Sequence, residues 1–158
     1  MKKLITFSLI ASISAGYLYY DYDKARYLSS TCRATLNYYN SDDINNDFSM
    51  YADIAFTFHK NKTGTVFISG DAVYQGQRYV IHKRENFNYE HIDNNNYTFS
   101  INQSESLFKD GMQNDVMDKY LPSLIVGTSR SITLEMINVN TLLISNRYAP
   151  VLTCVIDQ

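Results

Sequence analysis

Apolar and polar residues alternate along most of the chain, with the period of β-strands rather than of helices. The clearest case is the segment 51–59, where one set of alternate positions is apolar and the other is mostly polar. The apolar set is Ala52, Ile54, Phe56 and Phe58. A period of two predicts a strand with one buried face.

The same alternation, interrupted by short turns, organises the rest of the chain. Expected strands cover residues 31–39, 51–59, 65–74, 78–88, 97–101, 132–137, 141–145 and 151–156. One short helix is expected where Val116, Met117, Tyr120 and Leu121 fall on one side, and Pro122 ends it. Strands joined by short turns predict an antiparallel meander. The fold class is therefore mainly β (α+β): a barrel-like antiparallel meander with one short helix.

The N-terminal residues follow a different pattern. Lys2 and Lys3 precede an apolar run over residues 4–20, and polar residues follow it. This order predicts a single transmembrane helix with its N-terminus in the cytoplasm. The expected division is an anchor over 1–22, a linker over 23–31 and an exported domain over 32–158. The alternative is a secretory signal peptide cleaved near Gly16.

The composition and the motifs of the chain argue against several classes of function. The net charge is −2, and the chain has no basic run after its first lysines, so we expect no direct contact with nucleic acid. No nucleophile motif or metal-ligand spacing occurs in the sequence. We therefore expect neither an enzyme nor a bound cofactor or metal.

The chain has two cysteines, Cys32 and Cys154, near the two ends of the expected exported domain. In an oxidising compartment such an isolated pair predicts a disulfide, and two free buried thiols are the alternative. The disulfide would tie the first strand after the anchor to the last strand of the chain.

The three histidines, His59, His82 and His91, lie in separate elements without the spacing of metal ligands. Solvent-facing positions are the simpler interpretation. Because histidine titrates nearest to mild acid, these residues are also candidate pH-sensing groups.

Two segments carry a family resemblance: Cys-Arg-Ala-Thr-Leu at 32–36 and Tyr-Ala-Pro-Val-Leu-Thr-Cys at 148–154. Together with the N-terminal apolar run, the meander and the helix ending Asp-Lys-Tyr-Leu-Pro at 118–122, they resemble the FidL-like accessory membrane proteins of enterobacteria. The resemblance is to the PsaF and MyfF type, which is functionally analogous to ToxS and VtrC.

The resemblance implies a specific role in the bacterial inner membrane. Such a protein pairs in the periplasm with a membrane-bound winged-helix transcription activator, stabilises it and passes on signals such as acidity, in the control of fimbrial or virulence genes. It also implies that a hydrophobic ligand such as a bile salt could bind with the partner. Two alternatives stay open: a stand-alone lipocalin-like binder of small molecules, and a secreted fimbrial or surface subunit.

Overall fold

A computed structural model describes residues 14, 16, 28–40, 47–107, 112 and 114–157. Within the expected anchor, Ser14 and Gly16 are described and both are helical, while the rest of residues 4–20 lies outside the described residues. In the described part of the chain, no helix has the length and apolar character needed to cross a membrane.

Eight antiparallel strands form a closed barrel in which each strand pairs with its neighbours in chain order. The strands are β1 (Thr31–Asn40), β2 (Phe48–Phe58), β3 (Thr63–Tyr74), β4 (Gln77–Asp93), β5 (Asn96–Ser106), β6 (Ser129–Asn138), β7 (Thr141–Asn146) and β8 (Pro150–Ile156). The predicted mainly-β class, with one short helix and a barrel-like meander, is confirmed.

The inward and outward faces follow the sequence alternation. In β2, Ala52, Ile54 and Phe58 are buried and Phe56 is partly buried, so the predicted apolar set does face the barrel interior. The β3–β4 connection is a tight turn at Gln75 and Gly76, which have φ angles of 52° and 74°. Two consecutive positive φ values are typical of the turns that join twisted hairpin strands.

The barrel has two distinct ends. The upper end carries residues 28–30, where the chain enters β1, and the turns that join β2 to β3, β4 to β5, and β6 to β7. The lower end carries the β3–β4 and β7–β8 turns and receives the crossover between β5 and β6.

A short helix, α1 (Asn114–Tyr120), lies in this crossover and is followed by a 3-10 turn at Pro122–Leu124. The Tyr120 ring stacks on Phe48 with 4.3 Å between centroids and lies 6.0 Å from the Tyr74 ring. Met117 is buried beside it. The helix thus covers the lower end of the barrel, and its apolar side is the one predicted from the sequence.

Aromatic rings fill the upper half of the interior. Phe87 stacks on Phe99 at 4.8 Å, and both rings contact Phe58 at 5.7 and 5.9 Å. The backbone of Gly64 comes so close that a Cβ there would overlap the Phe87 ring. Glycine is therefore required by packing at this position.

Candidate functional site

The disulfide between Cys32 and Cys154 joins β1 to β8, with 5.4 Å between the Cα atoms. Both cysteines are fully buried. The β1–β8 ladder beside it consists of two residue pairs, Cys32 with Ile156 and Arg33 with Val155. The covalent link therefore holds the barrel at its shortest ladder.

Because this ladder is short, most of one edge of β1 has no paired strand among the described residues. Across its full length β1 pairs with β2, yet residues 34–39 have no ladder partner on the β8 side among the described residues. The carbonyl of Thr31 accepts a hydrogen bond from the N–H of Asp157 on that side. Because the backbone groups of a strand alternate in direction, those of Thr35, Asn37 and Tyr39 point to the same side.

The outer surface next to this edge mixes exposed apolar side chains with an ion pair between Arg78 and Asp71. Tyr39 on β1 and Tyr51 on β2 are both more than half exposed, and Val73 and Val80 continue the surface across β3 and β4. An unpaired edge beside exposed apolar side chains is a surface suited to accept a strand from another chain.

The barrel interior contains a buried ion pair. On β4, the Lys83 ammonium lies 3.0 Å from Oε1 of Glu85, and the exposures of the two side chains are 7% and 0%. Ser104 on β5 donates a hydrogen bond to the same Oε1 at 3.0 Å. The second carboxylate oxygen, Oε2, has no hydrogen-bond partner among the described residues.

Burial raises the pKa of Glu85 above its ordinary value, and this effect outweighs the opposing influence of Lys83 and Ser104. Asp118 on α1 raises it further through charge repulsion. Lys83 also lines a small cavity together with Met117 of α1, so the pair lies on the inner barrel wall close to the helix that covers the lower end.

The sequence prediction did not identify this pair, although a signal was present. In β4 the buried positions Ile81, Phe87 and Tyr89 are all odd-numbered, and Lys83 and Glu85 share that parity. Strict alternation therefore places two charged side chains on the inward face.

A small cavity lies at the lower end, beneath α1. It has a volume of about 10 Å³ and is lined mainly by β4 residues, including Ile81 and Lys83, together with Met112 and Met117. This is the space of about one water molecule. A ligand of bile-salt size does not fit into this cavity.

The structure does not bring the three histidines together into one site. His59 is exposed at the end of β2, and His91 donates from Nε2 to the carbonyl of Asn94 at 2.8 Å. His82 lies on the outer face, with Nδ1 3.0 Å from Oγ of Ser69. Their role in pH sensing stays a prediction.

Within the described ranges, no cluster of three or more histidine, cysteine, aspartate or glutamate side chains could hold a metal ion.

Comparison with known proteins gives one family. The family model described as "FidL-like putative membrane protein" matches residues 70–154, which is 154 − 70 + 1 = 85 of the 158 residues. The match begins within β3 and ends at Cys154, so it includes the buried ion pair and one half of the disulfide. No curated protein matches the chain.

Proposed function

This chain belongs to the FidL-like family, and we propose that it serves as the periplasmic accessory subunit of a membrane-bound winged-helix transcription activator. In this role it would bind and stabilise the activator, as proteins of the PsaF and MyfF type and the analogous ToxS and VtrC are expected to do. The chain would be held in the bacterial inner membrane by its N-terminal apolar run, with the barrel in the periplasm.

The observation that carries the proposal is the edge of β1 that has no paired strand among the described residues. Three residues, Thr35, Asn37 and Tyr39, direct backbone groups toward a side where no strand pairs among the described residues. A partner strand there would extend the sheet by main-chain hydrogen bonds, and exposed Tyr39 and Tyr51 would supply apolar contact. Such a role needs no catalytic residue.

A shared membrane would strengthen a modest interface. Two proteins anchored in the same bilayer meet at a higher effective concentration than two soluble proteins. A short augmented strand could therefore suffice to hold the activator.

The edge can be tested with a pair of substitutions at one position. Asn37→Pro removes the backbone N–H that points to the exposed side while leaving the hydrogen bonds toward β2 in place, since proline is tolerated on an edge. Asn37→Ala keeps the N–H and is the matched control. We expect the activator's level and its target transcription to fall with Asn37→Pro, as with deletion of the gene, and to be retained with Asn37→Ala.

An unchanged activator after deletion of the gene would contradict the accessory role. If the activator's level fell after deletion of the gene but was equal in the proline and alanine variants, the β1 edge would not be the binding surface.

The closed barrel favours a second candidate, a stand-alone binder of a small hydrophobic molecule. Its interior is filled by aromatic rings above and covered by α1 below, so binding requires that Tyr120 leave its stack on Phe48. This candidate is tested by titrating the purified protein, without the activator, with a bile salt and monitoring tyrosine fluorescence. Saturable binding without the activator would favour it.

A further inference from the structure

Two hairpin tips at the upper end of the barrel carry exposed apolar side chains. We name the upper rim as Ile92 at the end of β4 together with Met136, Ile137 and Val139 around the β6–β7 turn. All four are at least half exposed among the described residues, and Val139 is 87% exposed. The two hairpins are neighbours in the barrel, since β5 pairs with β6, and exposed apolar side chains on neighbouring tips form a candidate surface for contact with an apolar partner.

The chain enters the barrel at this same end. The Tyr89 hydroxyl accepts a hydrogen bond from the N–H of Leu28 at 3.0 Å and donates to the carbonyl of His59 at 2.7 Å. Leu28 is therefore fixed between the end of β2 and the inner wall of β4. The residues that precede the barrel in the chain therefore join it at the upper end.

The connection to the apolar run is short. From Tyr20 to Leu28 there are 28 − 20 = 8 residue steps, which reach at most about 27 Å when fully extended. If residues 4–20 lie in a bilayer, as the proposed function requires, the upper rim cannot be far from the headgroups. Tyr17, Tyr19 and Tyr20 are of the residue type that marks that level.

We propose that the upper rim contacts the lipid surface of the membrane that holds the N-terminal run, so that the barrel rests on the bilayer rather than standing off from it. The hairpin tips would place Val139 and Ile137 at the headgroup boundary, where apolar side chains bind by leaving water. Two lysines at the same end, Lys60 and Lys62, lie in the β2–β3 turn and are suited to anionic headgroups. Asp93, Glu135 and Asp157 are acidic groups at the same end, so apolar contact rather than charge carries the inference.

This orientation has a consequence for partner binding. It would hold the unpaired part of the β1 edge at a fixed height, on the side of the barrel that points away from the membrane, because β1 begins at the upper end and pairs with β8 only there. The inference rests on the anchor in the proposed function but not on the identity of the partner.

The chain contains no tryptophan, so one introduced tryptophan reports its own surroundings. Val139→Trp places the reporter on the upper rim, and Tyr148→Trp is the matched control. Both positions lie in hairpin turns at opposite ends of the barrel, with exposures of 87% and 90%. Ile92→Trp supplies a second reporter on a different strand. Each full-length variant is reconstituted into vesicles with and without brominated lipid, and flotation verifies attachment.

We expect brominated lipid to quench the emission of Val139→Trp and Ile92→Trp, with a shift to shorter wavelength, and to leave Tyr148→Trp unchanged. Vesicles that float with protein whose rim reporters are unquenched would overturn the lipid contact and leave the anchor intact. Emission that shifts as more protein is reconstituted per vesicle, but is not quenched by brominated lipid, would show that the upper rim contacts a second copy of the chain. That result would also overturn the proposal. Protein that fails to float with the vesicles would contradict the membrane anchor, and this inference would fail with it.

Discussion

The buried pair Lys83–Glu85 allows a quantitative prediction. Replacing one partner leaves the other charge buried and unpaired, which typically costs about 3–5 kcal/mol. Replacing both with apolar side chains of similar volume removes two desolvated charges at once and is often neutral or stabilising by about 1–4 kcal/mol. These free-energy values apply to this pair, because the Glu85 side chain is fully buried and the Lys83 side chain is nearly so.

We therefore expect Glu85→Met to lower the free energy of unfolding by about 3–5 kcal/mol at pH 7. A typical domain has about 5–15 kcal/mol in total, so this is a large loss. The double variant Lys83→Met/Glu85→Met should recover most or all of it. The Ser104 hydroxyl, which loses its acceptor in both variants, affects them equally and cancels from the comparison.

Urea unfolding of the full-length protein in detergent micelles, followed by circular dichroism, measures both free energies. The same experiment on Lys83→Met completes the double-mutant cycle. A double variant no more stable than Glu85→Met alone would show that the two charges are not coupled and would refute this reasoning.

Three further predictions follow from the packing. Cys154→Ser should cost about 4–5 kcal/mol, because the bond to Cys32 closes a loop of 122 residues, and unfolding with and without reductant measures this cost. Gly64→Ala should destabilise by about 1–3 kcal/mol through overlap with the Phe87 ring, and a melting temperature equal to wild type would contradict the close approach. Since burial raises the pKa of Glu85, its stabilising contribution is complete below the ordinary glutamate value and is lost as pH rises through the raised folded value. Glu85→Gln should therefore flatten the rise in stability on mild acidification, and an unchanged pH profile would assign that rise to other groups.

Much of the fold could be predicted because alternation is a local property. The inward face of β2 and the helix bounded by Pro122 were both evident from short windows of sequence. The lengths of the strands were harder to predict from the sequence. β4 was expected to end at Asn88 but continues to Asp93, because the polar residues of its upper part face solvent while Tyr89 still points inward.

The site was less predictable because it depends on contacts between distant segments. The exposed edge of β1 exists because β8 pairs with it at two positions, and no local pattern encodes how far a ladder extends. The inward position of Glu85 was available from parity with Phe87, but a charged residue on the buried face contradicts the simple rule that charges face water. The unpaired Oε2 and the contribution of Asp118 could come only from the packed structure.

The most direct test of the accessory role is in-membrane photocrosslinking from the β1 edge. A photoreactive residue is placed at Asn37 in the full-length protein, with Ser131 on the exposed face of β6 as the control position, and captured proteins are identified by mass spectrometry. We expect the reactive residue at Asn37 to capture a single-pass protein with a cytoplasmic winged-helix domain and the one at Ser131 not to capture it. We also expect the crosslinked protein itself, and not its partner, to begin still at Met1 or Lys2. Capture of no membrane protein from Asn37, together with a mature N-terminus near Tyr17, would contradict the accessory role.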